Sequence, residues 1–164
     1  KNIISNLLLS DKLNAPYSKL NFSSVSFSFF LDKLIAKFWN YENKISVVDS
    51  FPETNIIIDS VKVEIAIKNI LENAVKHSGA TKPIKISSSI ENGFLSVVIQ
   101  DFGVGIKQSD LDKIMLPFYK GKNKSSGLGL GLSISKKIIL AHKGKLFVSS
   151  ELNKGSIFKI LLPI

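Results

Sequence analysis

At 164 residues and 45% apolar content, the chain can form one globular domain that buries about 70% of the surface its unfolded form exposes. Its formal charge of +9 is carried by 22 lysines without an arginine, and the absence of cysteine excludes disulfides and thiolate metal sites. The two histidines stand 65 positions apart, without metal-ligand spacing, and no apolar run approaches the ~20 residues that cross a bilayer.

Residues 1–13, KNIISNLLLSDKL, put Ile3, Ile4, Leu7 and Leu8 on one helical side before Asn14-Ala15-Pro16 stops the run. With no methionine before Lys1, this reads as the end of a longer amphipathic helix, in a soluble piece of a longer protein. Ser26 to Tyr41 is a second helix, with Phe27, Phe30, Leu31, Leu34, Ile35 and Phe38 at core-facing intervals. Ile45 to Val48 and Asn55 to Ile58 read as short strands, after which Asp59 or Ser60 caps a helix that runs to about Ser78 and stops at Gly79. Two strands, Ile84 to Ile90 and Phe94 to Gln100, are joined by Glu91-Asn92-Gly93, and Asn-Gly is the strongest short hairpin signal. An irregular stretch after DFGVGI leads into a helix from about Leu132 to His142, ended by Gly144. Lys145 to Ser149 and Ser156 to Leu162 close the chain as a hairpin around Asn153 to Gly155. Consecutive hairpins beside helices predict an α+β fold: a two-layer sandwich of one mixed, mostly antiparallel sheet with helices packed on one face.

Charge is unevenly spread. Lys113, Lys120, Lys122, Lys124, Lys136, Lys137, Lys143 and Lys145 fall between residues 113 and 150 with no carboxylate among them. That suits a polyphosphate partner. Nucleic acid is disfavoured, because arginine is missing and no basic stripe is interleaved with aromatics.

On the 59–78 helix, taking Asn69 as zero and about 100° per residue, Asn73 falls near 40°, Lys76 near −20°, Glu72 near −60° and His77 near 80°. Ile67, Leu71, Ala74 and Ser78 occupy the opposite side. Two asparagines are poor formers of a helix interior, so something besides helix stability places them.

Four segments then acquire a common meaning. NILENAVKHS (69–78), DFGVGI (101–106), PFYKG (117–121) and GLGLGL (127–132) resemble, in order and spacing, the N, G1, F and G2 boxes of the catalytic ATP-binding domain of sensor histidine kinases. That family lies within the Bergerat-fold group of gyrase and heat-shock chaperone ATPases, and the likeness covers about residues 20–164. It divides the chain into residues 1–14, the end of a truncated dimerisation and phosphoacceptor hairpin, and residues 15–164, the catalytic domain.

The resemblance implies ATP and Mg2+ as cofactors. Asn73 would give its side-chain oxygen to the metal, Lys76 would approach the phosphates, and His77 would lie along the nucleotide's edge. Asn69, Asn73 and Lys76 form the implied catalytic set. Asp101, ending a buried strand before Gly103, Gly105 and Ile106, can accept from the exocyclic amine of adenine, where guanine presents a carbonyl oxygen; a mismatch there costs ~1–3 kcal/mol. Gly127, Gly129 and Gly131 leave backbone N–H groups free for an anion at the start of a helix, while Leu128, Leu130 and Leu132 anchor the segment in the core. Residues 119–127 would be a lid, with Phe118 as its apolar hinge and Tyr119 and Lys120 near the nucleotide. Lys120 stands where the family often has arginine, so a single ammonium replaces a bidentate clamp.

ATP hydrolases of this fold carry a glutamate four residues before the metal-binding asparagine, where this chain has Asn69, and an amide takes no proton. Efficient hydrolysis is therefore disfavoured. Neither His77 nor His142 has the surroundings of a phosphoacceptor. The expected function is donation of the ATP γ-phosphoryl group to a histidine on a neighbouring hairpin domain, with a response regulator downstream. The same likeness implies a cytoplasmic domain of a membrane-anchored parent, with no membrane contact of its own. An anti-sigma-type serine kinase and a non-catalytic nucleotide-binding module share the boxes and are the alternatives.

Overall fold

The computed structural model describes residues 19–38, 45–78, 82–121 and 128–164. The predicted helix over 1–13, the stop at Gly79, and Lys122, Lys124 and Gly127 lie outside the described residues. The elements are β1 (Ser23–Ser26), α1 (Phe27–Ala36), β2 (Ile45–Val47), β3 (Asn55–Ile58), α2 (Ser60–His77), β4 (Ile84–Glu91), β5 (Phe94–Asp101), α3 (Gln108–Leu111), α4 (Gly131–Ala141), β6 (Lys145–Glu151) and β7 (Gly155–Pro163).

Five strands form one sheet in the order β2-β4-β5-β7-β6, and β1 pairs with β3 in a separate two-stranded sheet. Among the described residues only β2 and β4 run parallel; the remaining pairs are antiparallel. The mixed, mostly antiparallel sandwich expected from the element order is the observed architecture. Alternation along the strands sends Ile84, Ile86, Leu95, Val97, Ile99, Phe158, Ile160 and Leu162 into one core, each under 5% exposed. Helices α2 and α4 cover that face, meeting it with Ile67, Ile70, Leu71, Ile134, Ile138 and Ile139.

The β4–β5 turn is as the sequence demands: Asn92 and Gly93 both have positive φ (49° and 76°), the geometry that matches strand twist in a two-residue hairpin. Asp59 rather than Ser60 caps α2, accepting from the Lys62 amide at 3.1 Å. Three features differ from expectation. The helix predicted from Ser26 to Tyr41 ends at Ala36, and Lys37 and Phe38 form a turn. Strand β1 is unannounced, because SSVS has no alternating apolar pattern and is ordered by its ladder with β3. The short helix α3 falls in the stretch read as irregular.

His142 caps α4 as a buried ring with both nitrogens engaged. Its Nε2 accepts the Asp59 amide proton at 3.0 Å, which leaves Nδ1 to donate to the Ile138 carbonyl at 2.8 Å. It thereby ties the start of α2 to the end of α4. His142→Ala should destabilise the fold by about 2–3 kcal/mol by orphaning a buried amide and opening a void, read as a lower urea midpoint at pH 7. An unchanged midpoint would disprove that bracing role.

Candidate nucleotide site

Helix α2 is the spine of the site. Asn69, Asn73 and His77 recur every fourth residue along one side of it, a span of about 12 Å at 1.5 Å per residue. Its two ends meet different loops. At one end the Asn69 amide donates to the Gly131 carbonyl at 3.2 Å, at the start of α4. At the other, the His77 carbonyl lies so close to Gly103 that a side-chain carbon there would stand 1.9 Å from it. The segments carrying Asp101 and the Gly-Leu alternation thus flank a single helix face, with half-buried Asn73 between them.

Asp101 ends β5 at 4% exposure. Its Oδ1 accepts from the Gly103 amide at 2.9 Å, which holds the following turn against the strand end. Burial pushes its carboxyl above the usual range, opposed by hydrogen bonds from the Gly103 amide and from the Ser156 amide and hydroxyl, and by the nearby His77. His77 moves the other way. Desolvation and the Lys76 ammonium lower it, while Asp101 partly restores it, so its ring is neutral at pH 7. Since an unfolded histidine binds its proton more tightly, His77 contributes stability at neutral pH that is lost as pH falls below about 6.5. Phe102 lies under the Lys82 and Lys85 ammonium groups, 5.2 and 5.7 Å from its ring centre. Gly105 sits against the Glu151 carbonyl, and the Ile106 amide donates to Ser150 Oγ at 2.8 Å, docking this loop on β6.

The F and G2 segments are joined. The Phe118 amide donates to the Gly129 carbonyl at 2.9 Å, and Phe118 itself is exposed and left-handed, with φ of 63°. Gly129 has φ of 71° and faces the Tyr119 carbonyl, which a side-chain carbon would approach to 2.6 Å. Only glycine fits there. Gly129→Ala should destabilise the domain by about 1–3 kcal/mol and loosen the 118–121 strap, measured by thermal melting and by protease cleavage near Tyr119; a variant that melts with wild type and resists cleavage equally would refute this. Tyr119 is half-buried and Lys120 exposed. Leu130 is 2% exposed, and Leu128 and Leu132 pack against the core from its margin, which accounts for the Gly-Leu alternation.

The arrangement fits an adenine nucleotide. A desolvated carboxylate stands at one end, and a backbone turn whose Gly129 has no room for a side chain, leading into an 11-residue helix, stands at the other. Sequence reasoning missed Ser156, brought beside Asp101 by the β5–β7 register, and Ser135, whose hydroxyl reaches the Ala66 carbonyl on α2 at 2.9 Å. Neither has a sequence signal, since each acts across a long-range contact.

The family described as "Histidine kinase-, DNA gyrase B-, and HSP90-like ATPase" matches residues 58–164. Among curated proteins, the chain is 35% identical over 107 residues to the alginate biosynthesis sensor protein KinB of Pseudomonas aeruginosa, covering 65% of this chain and 18% of that protein. It is 30% identical over 154 residues to the adaptive-response sensory kinase SasA of Prochlorococcus marinus, covering 89% and 40%. The chain therefore spans less than half the length of these relatives. Among solved structures, the histidine kinase AdeS of Acinetobacter baumannii superposes with a TM-score of 0.78 at 26% identity, covering 98% of this chain and 76% of that one.

Proposed function

Because the chain belongs to the histidine kinase-, DNA gyrase B- and HSP90-like ATPase family, as an ATP-binding catalytic domain of the sensor histidine kinase type, we propose that it donates the γ-phosphoryl group of Mg-ATP to a histidine on a helical-hairpin domain outside the described residues. One observation carries this reading: α2 touches the Asp101 loop through His77 and the Gly131 turn through Asn69, with Asn73 and Lys76 between.

In this reading Asp101 accepts the adenine amine, His77 borders the base as a neutral ring, and the leading amides of α4 hold the phosphates. Lys76 and Lys120 add positive charge. Asn73 would supply one oxygen to Mg2+, and the described residues include no group of three His, Asp or Glu side chains able to cage an ion. That donor set would suit Mg2+, a hard cation that needs few protein ligands. When bound, the ion neutralises developing charge on the transferred group. The protein's own contribution is positioning and water exclusion.

Neither histidine of the described residues serves as acceptor: His77 borders the base, and both His142 nitrogens are engaged in the core. Asn69 cannot take a proton from water, so the isolated chain should release phosphate from ATP far more slowly than once per minute; brisk release in a coupled assay would move it to the hydrolases. Anchorage of the parent in the cytoplasmic membrane and relay to a response regulator belong to the same proposal.

The direct test mixes this chain with the parent's separately expressed hairpin domain and radiolabelled ATP. Acid-labile, base-stable label on the hairpin is expected. Acid-stable label on a serine would overturn the histidine kinase reading.

A further inference from the structure

The first two peptide groups of α4 are held by buried side chains of α2 and α4. The Leu130 carbonyl accepts from Ser133 Oγ at 2.8 Å and from the Ile134 amide at 3.0 Å. The Gly131 carbonyl accepts from Asn69 Nδ2 at 3.2 Å and shares the single Ser135 hydroxyl proton, at 3.0 Å, with the Ala66 carbonyl. Ser135 is 0% exposed and Asn69 is 9% exposed. A carbonyl and the next residue's N–H lie in one rigid trans plane and point in opposite directions. Pinning the Leu130 oxygen therefore aims the Gly131 N–H, and pinning the Gly131 oxygen aims the Leu132 N–H. Both amides belong to the first turn of α4, where no intrahelical acceptor exists for them.

We propose that Asn69 and Ser135 are positioning residues that set the Leu132 amide toward the polyphosphate by clamping the Gly131 carbonyl from α2 and from within α4. The inference rests on the nucleotide-site reading above. It also changes the part played by Asn69: at the position where hydrolases of the fold carry a glutamate, this chain places an amide whose N–H2 is turned to a backbone carbonyl, so it acts through Gly131 and not on the substrate. Ser135 extends the clamp to the Ala66 carbonyl on α2, so the phosphate-binding turn and the helix bearing Asn73 share one register.

Calorimetric titration with Mg-ATP, and ligand-observed NMR titration with adenosine, separate this role from direct contact and from general bracing. Asn69→Ala and Ser135→Ala are each expected to weaken Mg-ATP binding by about tenfold while leaving adenosine affinity within about twofold of wild type, because the clamp serves only the phosphate end. Wild-type Mg-ATP affinity in Ser135→Ala, whose buried hydroxyl cannot reach a ligand, would overturn the proposal, as would equal losses for adenosine and Mg-ATP. Asn69→Asp keeps the shape but turns an acceptor on the Gly131 carbonyl; it should weaken Mg-ATP at least as much as alanine does, and unchanged affinity there would also overturn it. If wild-type protein binds adenosine but gains nothing from the triphosphate, the failure lies in the nucleotide-site reading itself.

Discussion

Asn73→Ala is expected to abolish measurable Mg2+-dependent ATP binding, a loss on the order of 100-fold or more in affinity. The side chain occupies the middle of the α2 face, one helical turn from Asn69 on one side and from His77 on the other. The described residues contain no acidic cluster to compensate for it. A hard cation that keeps most of its waters would depend strongly on each protein oxygen that holds it. The substitution should leave the fold intact, because Asn73 is only half-buried and alanine is the better helix former. Titration with ATP in Mg2+ and in EDTA separates the effects: wild type should lose affinity on chelation, and the variant should start from the chelated level. Equal Mg2+ dependence in the two proteins would remove Asn73 from the metal site.

Asp101→Asn is expected to weaken ATP by about 10- to 100-fold and to erase or invert the preference for ATP over GTP. The carboxylate receives the Gly103 amide and the Ser156 amide and hydroxyl. In the variant the single carbonyl oxygen must serve those donors, so the amide N–H2 faces the base, opposed to the adenine amine and complementary to the guanine carbonyl. Stability should respond separately. Burial raises the Asp101 pKa, so its folded form favours the proton, and its contribution to stability is greatest in acid and declines as pH rises through the folded pKa. The variant should therefore melt no lower than wild type at pH 7, and its relative advantage should narrow as pH falls toward 4. Retained discrimination against GTP would contradict the base-reading role. An advantage that widened in acid would contradict the desolvation account.

Which parts of this molecule could be read without coordinates follows from the range of the interaction concerned. Asn92-Gly93 announces its turn because the left-handed φ values are a property of those two residues. The apolar side of α2, from Val63 to Ala74, is legible because helical period maps sequence directly onto a face. Asp59 as a cap is likewise a matter of three residues. By contrast, β1 is a strand only because β3, some thirty positions later, pairs with it. His142 carries no local signal for its role, which is to accept the Asp59 amide proton across 83 positions. The site divides in the same way: Asp101, Asn73 and the glycines are visible as residues, while the donors to Asp101 and the clamp on Gly131 are visible only as contacts.

The order and chemistry of the four boxes, the helix face that presents Asn73 and the amide at position 69 were all determined by the chain itself, because each depends on covalent order and helical period. The tertiary structure alone decided that Gly103 meets the end of α2, that Gly129 sits under the Tyr119 carbonyl and that the Asn69 amide donates to the Gly131 carbonyl. These are close approaches between segments dozens of residues apart. Their geometry comes from how the sheet and two helices pack, a quantity that no local pattern encodes.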